Sequence, residues 1–156
     1  MLEINPVGTV EIEEGRFYIS INKKYRDALK ELSGFSHINV IWWGNLSDSS
    51  DKRDIMVAKK PYKKAPETVG IFATRSNVRP NPVLISAVQI ISINVDKGII
   101  ELPWIDAEAE SPVIDIKPYQ PCFDRIKKTQ MPDWCANWPE WYEDSGTFDW
   151  STVFNF

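Results

Sequence analysis

PVLISAVQIISINV (residues 82–95) is rich in β-branched residues, and apolar side chains fall at both odd and even positions. Such a run predicts one long strand covered on both faces. DKG (96–98) is a turn that returns the chain into IIELPWI (99–105), so the two runs form a hairpin. Upstream, VGTVEI (7–12) alternates, ends at Glu-Glu-Gly, and is followed by RFYISI (16–21), a second hairpin. FSHINVIWWG (35–44), IMVAKK (55–60), VGIFAT (69–74) and SPVIDIKPY (111–119) read as further strands. Only NKKYRDALKELSG changes period: Tyr25, Ala28, Leu29 and Leu32 recur at helical spacing, Asn22 can cap the start, and Gly34 can close the end. About seven strands with one short early helix, and no alternation of strand and helix, predict a mainly β fold. The expected form is a small closed β-barrel of about six to seven strands with a packed C-terminal tail. A length of 156 residues suits one domain. We expect the barrel over 1–125 and an aromatic-rich extension, 126–156, packed on the same domain.

Composition narrows the function. The formal charge is −4 and the isoelectric point about 5.1, which argues against charge-driven nucleic-acid binding by the whole surface. A local basic patch from Lys23, Lys24, Lys59, Lys60, Lys63 and Lys64 is compatible with that balance. No apolar run approaches the roughly 20 residues that cross a bilayer. MLEINPVG lacks the basic and apolar regions of a signal peptide. The expectation is a cytoplasmic protein with no membrane partner. The cysteines, Cys122 and Cys135, have a spacing that fits no metal or redox motif, and they read as free thiols. His37 is the only histidine, so a zinc cluster cannot be assembled and no metal is expected. The seven glycines are too scattered for a G-x-G-x-x-G or Walker A loop.

Three segments can carry chemistry. In GIFATRSNVRPNPVLIS (70–86), Arg75 and Arg79 offer planar donor forks, while Ser76 and Asn81 add neutral partners. Pro80 and Pro82 push the residues before them out of the α region and stiffen the loop. A stiff loop of this kind is preorganised for an anionic or nucleotide-like ligand, or is a turn with two solvated arginines. In SPVIDIKPYQP (111–121), Asp115 and Lys117 share one strand face and Pro118 ends the strand, aiming Tyr119 outward. These groups are either reactive or a surface ion pair worth about 1 kcal/mol or less. In GFSHINVIWW (34–43), His37 opens a strand, as a base or as a hydrogen-bonded structural residue.

These segments, in this order, resemble the signatures G-V-F-A-T-R-S-x-x-R-P-N-P-I-G-L-S, T-P-V-L-D-I-K-P-Y-x-P and L-x-G-F-S-H of the TrmO-like (TsaA-like) β-barrel methyltransferases. The likeness spans roughly residues 5–121. It implies S-adenosyl-L-methionine as cofactor, methylation of N6 of threonylcarbamoyladenosine in tRNA or of a related nucleoside, and a homodimer. It implies cofactor contacts at Arg75, Ile85, Trp104, Ile105, Asp106 and Asn45. Substrate contacts are implied at Arg79, Asn81 and His37, and catalytic roles at Asp115, Lys117 and Tyr119. Such a ligand suits these groups chemically. Arg75 can pair with its carboxylate, Asp106 can accept from ribose or ammonium, and Trp104 can meet adenine or sulfonium. Methyl transfer by in-line displacement depends on positioning and needs no metal. Two motif positions depart from the family: Leu84 stands where it has glycine, and AESP (109–112) where it has D-G-T-P. The alternative reading is a non-catalytic barrel that binds an adenosine-type ligand, or a protein partner through its aromatic tail.

Overall fold

The structure, a computed structural model, describes residues 3–155; Met1 and Leu2, at the head of MLEINPVG, and Phe156 lie outside the described residues. Its strands are β1 (Gly8–Glu13), β2 (Arg16–Ile21), β3 (His37–Trp43), β4 (Val57–Lys59), β5 (Thr68–Gly70), β6 (Val83–Gln89), β7 (Ser92–Asn94), β8 (Ile99–Leu102) and β9 (Pro112–Pro118). The chain divides into two compact units, Met1–Asp48 with Asn81–Arg125, and Ser49–Pro80 with Ile126–Phe156.

The first unit is an antiparallel seven-stranded sheet in the order β6-β3-β9-β1-β2-β8-β7. Alternation decides what it buries: Val10, Ile19, Ile38, Val40, Val88, Ile100 and Val113 all point to one side and are at most 1% exposed. In the β1–β2 hairpin, Glu14 and Gly15 both have positive φ, 50° and 76°, as a type I′ turn requires. A Cβ on Gly8 would lie 2.3 Å from the Ser20 carbonyl oxygen, so the approach of β1 to β2 there needs glycine.

Four expectations are corrected. The expected closed barrel is an open sheet, with β6 at one edge and β7 at the other. The run 82–95 is two strands, not one. At the break the Ile90 N–H donates to Ser36 O and the Ile91 N–H to Glu101 O, each at 2.9 Å. The chain thus leaves the β3 side of the sheet and joins the β8 side within two residues. The two edges are successive pieces of one strand run, joined covalently, and no ladder between β6 and β7 occurs among the described residues. The early helix is two 3₁₀ segments, Lys23–Leu29 and Leu32–Gly34. Lys30 is extended and Glu31 is left-handed (φ 66°), which breaks the run between them. Asn22 does not cap it, and its amide donates to the Pro6 carbonyl at 3.1 Å.

In the second unit β4 and β5 pair antiparallel. Tyr62, Ala65, Val69 and Val153 form its buried core, with Trp134, Trp138, Phe148, Trp150 and Phe154 packed against them. No helix among the described residues is long and apolar enough to cross a membrane.

Both departures from the family signature have a backbone answer. Leu84 lies within β6, paired with Trp42, and is not among the residues with positive φ. Glu110, at the glycine position of D-G-T-P, has φ 66°. It keeps that conformation because its N–H must reach Val10 O (2.8 Å) while Ser111 O accepts from the Val10 N–H (3.0 Å). A left-handed L-residue costs about 1–2 kcal/mol, and glycine's extra unfolded-state freedom returns roughly 0.5–1 kcal/mol of that. Glu110→Gly should therefore raise stability by up to about 1 kcal/mol in urea unfolding, and a loss of stability would contradict this account.

Candidate functional site

The candidate groups of the first unit are arranged by β3, which is paired along its length with β6 and along most of it with β9. Ile38, Val40 and Trp42 point into the core, so His37, Asn39, Ile41 and Trp43 face the other way. The register with β9 shifts between Ile41 and Trp42: Ile41 pairs with Asp115, yet Trp42 pairs with Val113. Ile114 is the extra residue of this bulge. Val113 and Asp115, two apart, would share a face in a regular strand. The bulge leaves Val113 in the core and turns Asp115 to the opposite face, in one row with Ile41 and, across the next ladder, Ile85.

On that face Lys117 Nζ lies 2.8 Å from Asp115 Oδ2, and Asp115 Oδ1 accepts from the Ile116 N–H at 2.9 Å. The hydrogen bond and charge of Asp115 push the Lys117 pKa upward, so Lys117 is a cation at neutral pH. At the far end of the same ladder the Tyr119 N–H donates to His37 O at 2.9 Å. The two rings sit edge-on with centroids 6.4 Å apart, and Ser36 Oγ is 2.8 Å from His37 Nδ1. Asp115 and Lys117 lie on β9, Tyr119 directly follows it, and His37 opens β3, so the four belong to one ladder.

Asp106 belongs to a second arrangement. The buried Trp42 indole N–H donates to Ser86 Oγ at 2.9 Å, and Ser86 Oγ donates in turn to Asp106 Oδ1 through a short hydrogen bond. Trp42 is 6% and Ser86 8% exposed, while Asp106 lies at the surface. One carboxylate oxygen is held from inside the core, and Oδ2 has no partner among the described residues. Ile105, beside it, is buried. Trp104 and Ile85 are about half exposed. Asn45 opens the 3₁₀ turn Asn45–Ser47, and the Gly44 N–H holds this turn to Pro82 O at 2.8 Å. Asn45 and Asn81 thus mark the same end of the β3–β6 ladder. A carboxylate with one oxygen fixed and the other open fits the amine or hydroxyls of a nucleoside-type ligand.

Ser86 and Trp42 were not singled out from sequence. The signal was present: an inward serine in an apolar run must find a partner. A cavity of about 300 Å³ opens elsewhere in this unit, walled by Val7, Ile21, Tyr25, Leu29 and Phe35. Asp115 is the only expected site residue on its wall. The Trp42–Ser86 hydrogen bonds lead out to Asp106, and we place the candidate site there.

Arg75 and Arg79 lie in the second unit. Arg79 Nη1 donates to Thr74 O (3.3 Å) and Ser76 O (3.2 Å), tying the loop to itself. The Ser76 N–H donates to Thr74 Oγ1 and the Val78 N–H to Ser76 Oγ. Arg79 therefore stiffens the loop, while Arg75 is exposed on it.

The family model described as the tRNA-methyltransferase O N-terminal domain matches residues 4–125. An S-adenosyl-L-methionine-binding protein of Archaeoglobus fulgidus is 30% identical over 141 residues, covering 81% of this chain and 96% of its own. A probable S-adenosyl-L-methionine-binding protein of Methanothermobacter thermautotrophicus is 33% identical over 139 residues, 80% of this chain and 95% of its own. The tRNA (adenine(37)-N6)-methyltransferase of Escherichia coli is 28% identical over 135 residues, 85% of this chain but 54% of its own. Among solved structures, a crystal structure of TrmO superposes with a TM-score of 0.66 at 22% identity, covering 84% of this chain and 63% of that one. The chain thus spans about three fifths of the solved structure it resembles.

Replacing Ser86 by alanine leaves the buried Trp42 indole N–H without an acceptor, and such an orphan costs about 1–3 kcal/mol. Ser86→Ala should lose stability in that range by chemical denaturation. A neutral result would show that the Trp42–Ser86 bond does not matter to the fold.

Proposed function

The chain belongs to the tRNA-methyltransferase O N-terminal domain family, and on that premise we propose that it binds S-adenosyl-L-methionine and transfers its methyl group to the N6 amine of a nucleoside, in tRNA or a related substrate. The observation that carries this reading is the Asp106 carboxylate, held at one oxygen by Ser86 and open at the other, with Trp104 and Ile85 exposed. The names of the archaeal and Escherichia coli relatives support it. The cofactor supplies an electrophilic methyl, and the residues bind and orient. Asp106 Oδ2 accepts from the ligand's ribose or ammonium, Trp104 and Ile85 cover its apolar surfaces, and Asn45 adds a polar contact. Arg75, in the second unit, offers a planar fork suited to an anionic group such as a carboxylate, and Arg79 keeps the loop that bears Arg75 in shape.

At the acceptor, Asp115, Tyr119 and His37 are the groups able to take the proton that the amine loses. Lys117 is read as the partner that holds Asp115, to which it is ion-paired, with the hydrogen bond and charge of Asp115 pushing its pKa upward. His37 and Asn81 offer polar contacts to the substrate. The family's homodimer belongs to this reading, and the exposed Val83 and Ile85 on edge strand β6 are apolar surface a second copy would cover.

Calorimetric titration with S-adenosyl-L-methionine tests the proposal. The native chain should bind in the micromolar range, about −8 kcal/mol. Arg75→Ala and Asp106→Asn should each weaken binding by tenfold or more, at least about 1.4 kcal/mol. Absence of binding by the folded native chain would overturn the reading. Binding without methyl transfer to tRNA or nucleoside would leave the alternative, an adenosine-type ligand held without catalysis.

A further inference from the structure

We infer that the Trp-rich tail is the support of the arginine loop: it holds residues 69–79 in one shape and so positions Arg75. The functional weight of this inference rests on the cofactor reading of Arg75 given above.

Residues 49–80 contain a hairpin with three residues in each strand, β4 and β5. A lone two-stranded hairpin is marginal in water, so the cover for its apolar side must come from elsewhere. Within this unit the tail provides it. Tyr62 stacks on Trp134 with centroids 5.3 Å apart and meets Trp138 edge-on at 5.0 Å. Trp138 meets Trp150 at 5.7 Å, and Trp150 meets Phe148 at 4.9 Å and Phe154 at 5.6 Å. Backbone bonds fix the same junction: the Lys63 N–H donates to Val153 O (2.8 Å), the Asn155 N–H donates to Pro61 O (3.2 Å), and Tyr62 bridges to Phe154. Side chains add to them, with Lys63 Nζ donating to Ser151 O (2.6 Å) and Asn155 Nδ2 to Lys60 O (3.0 Å).

From that cluster the constraint runs along the chain without a gap. Val69 is one of the four buried core residues. Ile71, buried two residues on, donates its N–H to Met56 O at 2.9 Å. Thr74 is buried and bonded back to Ile71 O through both its N–H (3.0 Å) and its hydroxyl (2.8 Å). Arg75 follows directly, and Arg79 returns to Thr74 O. Every buried link between the aromatic cluster and Arg75 is therefore bonded or packed. The family match ends at residue 125, before the first tail ring at Trp134, so this support is a feature of this chain outside the matched segment.

The test uses full-length Trp138→Ala, Trp138→Phe and Trp141→Ala, the last at an exposed tail position. Hydrogen exchange by mass spectrometry reads residues 69–79 against the β3 and β9 peptides, and calorimetry reads S-adenosyl-L-methionine. Trp138→Ala should speed exchange of 69–79 at least tenfold and weaken binding at least tenfold while β3 and β9 keep their protection. Trp138→Phe, which retains a ring, should recover most of both, and Trp141→Ala should match the native chain. Unchanged protection of 69–79 in Trp138→Ala overturns the inference. So does an equal loss in β3 and β9, because the tail would then support the whole chain and not the loop. If Trp138→Ala does not fold, Phe148→Leu carries the same comparison. If the native chain does not bind the cofactor, the cofactor reading fails and exchange alone decides whether the tail orders the loop.

Discussion

One tryptophan in the core sets the orientation of one carboxylate at the surface. Trp42 points inward from β3 because β3 is laddered on both sides and its even-numbered residues line the core. Once there, its indole N–H must be bonded, since a buried donor left alone costs about 1–3 kcal/mol. Ser86, inward on the neighbouring strand, is the acceptor. A serine hydroxyl that accepts from Trp42 has its own proton left to give, and it gives that proton to Asp106. Freezing an exposed carboxylate rotamer costs less than orphaning a buried indole, so the core decides. The sheet thereby preorganises a surface acceptor before any ligand arrives.

The same strand explains what the sequence could and could not reveal. Alternation placed Asp115 and Lys117 on one face, and the structure pairs them. Alternation alone also puts Val113 on that face, and only the bulge at Ile114 separates Val113 from Asp115. No side chain in VID marks that bulge, which follows from the competing demands of the core and the β3 ladder. Closure failed for a similar reason. The run 82–95 has one composition throughout, yet Ile90 and Ile91 change partners. Partner choice in a sheet is a long-range property that a window of apolar residues does not carry. The early helix misled because Tyr25, Leu29 and Leu32 satisfy a helical period, while Glu31 adopts a conformation that no helix continues. Arg75 was legible in the stiff proline loop and Asp106 was reached through likeness to a family; Ser86 was within reach of physical reasoning and went unread.

The two units solve burial differently, and their compositions follow. The sheet unit stacks Val and Ile from several strands into one core. The other unit has few residues and only three-residue strands. Small units bury a smaller fraction of their surface, and many such folds add disulfides. Here Cys135 is a buried free thiol, and Cys122, an exposed free thiol, belongs to the sheet unit. The compensation is ring area: each aromatic side chain buries about 150–250 Å², and edge-on contacts between them add directional preference. A tail that looks in sequence like an acidic, Trp-rich appendage is thus the interior of a unit whose other half lies some seventy residues earlier in the chain.

Stiffness of the arginine loop then has two sources acting at different ranges. Locally, Pro80 restricts Arg79, the Thr74 and Ser76 hydroxyls bind neighbouring N–H groups, and the Arg79 guanidinium closes the loop on its own carbonyls. These bonds set the loop's shape but not what it is fixed to. The fixing comes through Val69, which packs in the core that the rings cover, and through the buried Ile71 and Thr74 that follow it along the chain. Using one arginine to shape the loop leaves the other, Arg75, exposed on a backbone with little freedom left to lose. A flexible surface arginine gives up much of its pairing energy in side-chain and backbone ordering. One carried on a rigid, anchored loop gives up only the side-chain part, and the loop's nested bonds and the tail's rings both serve that end.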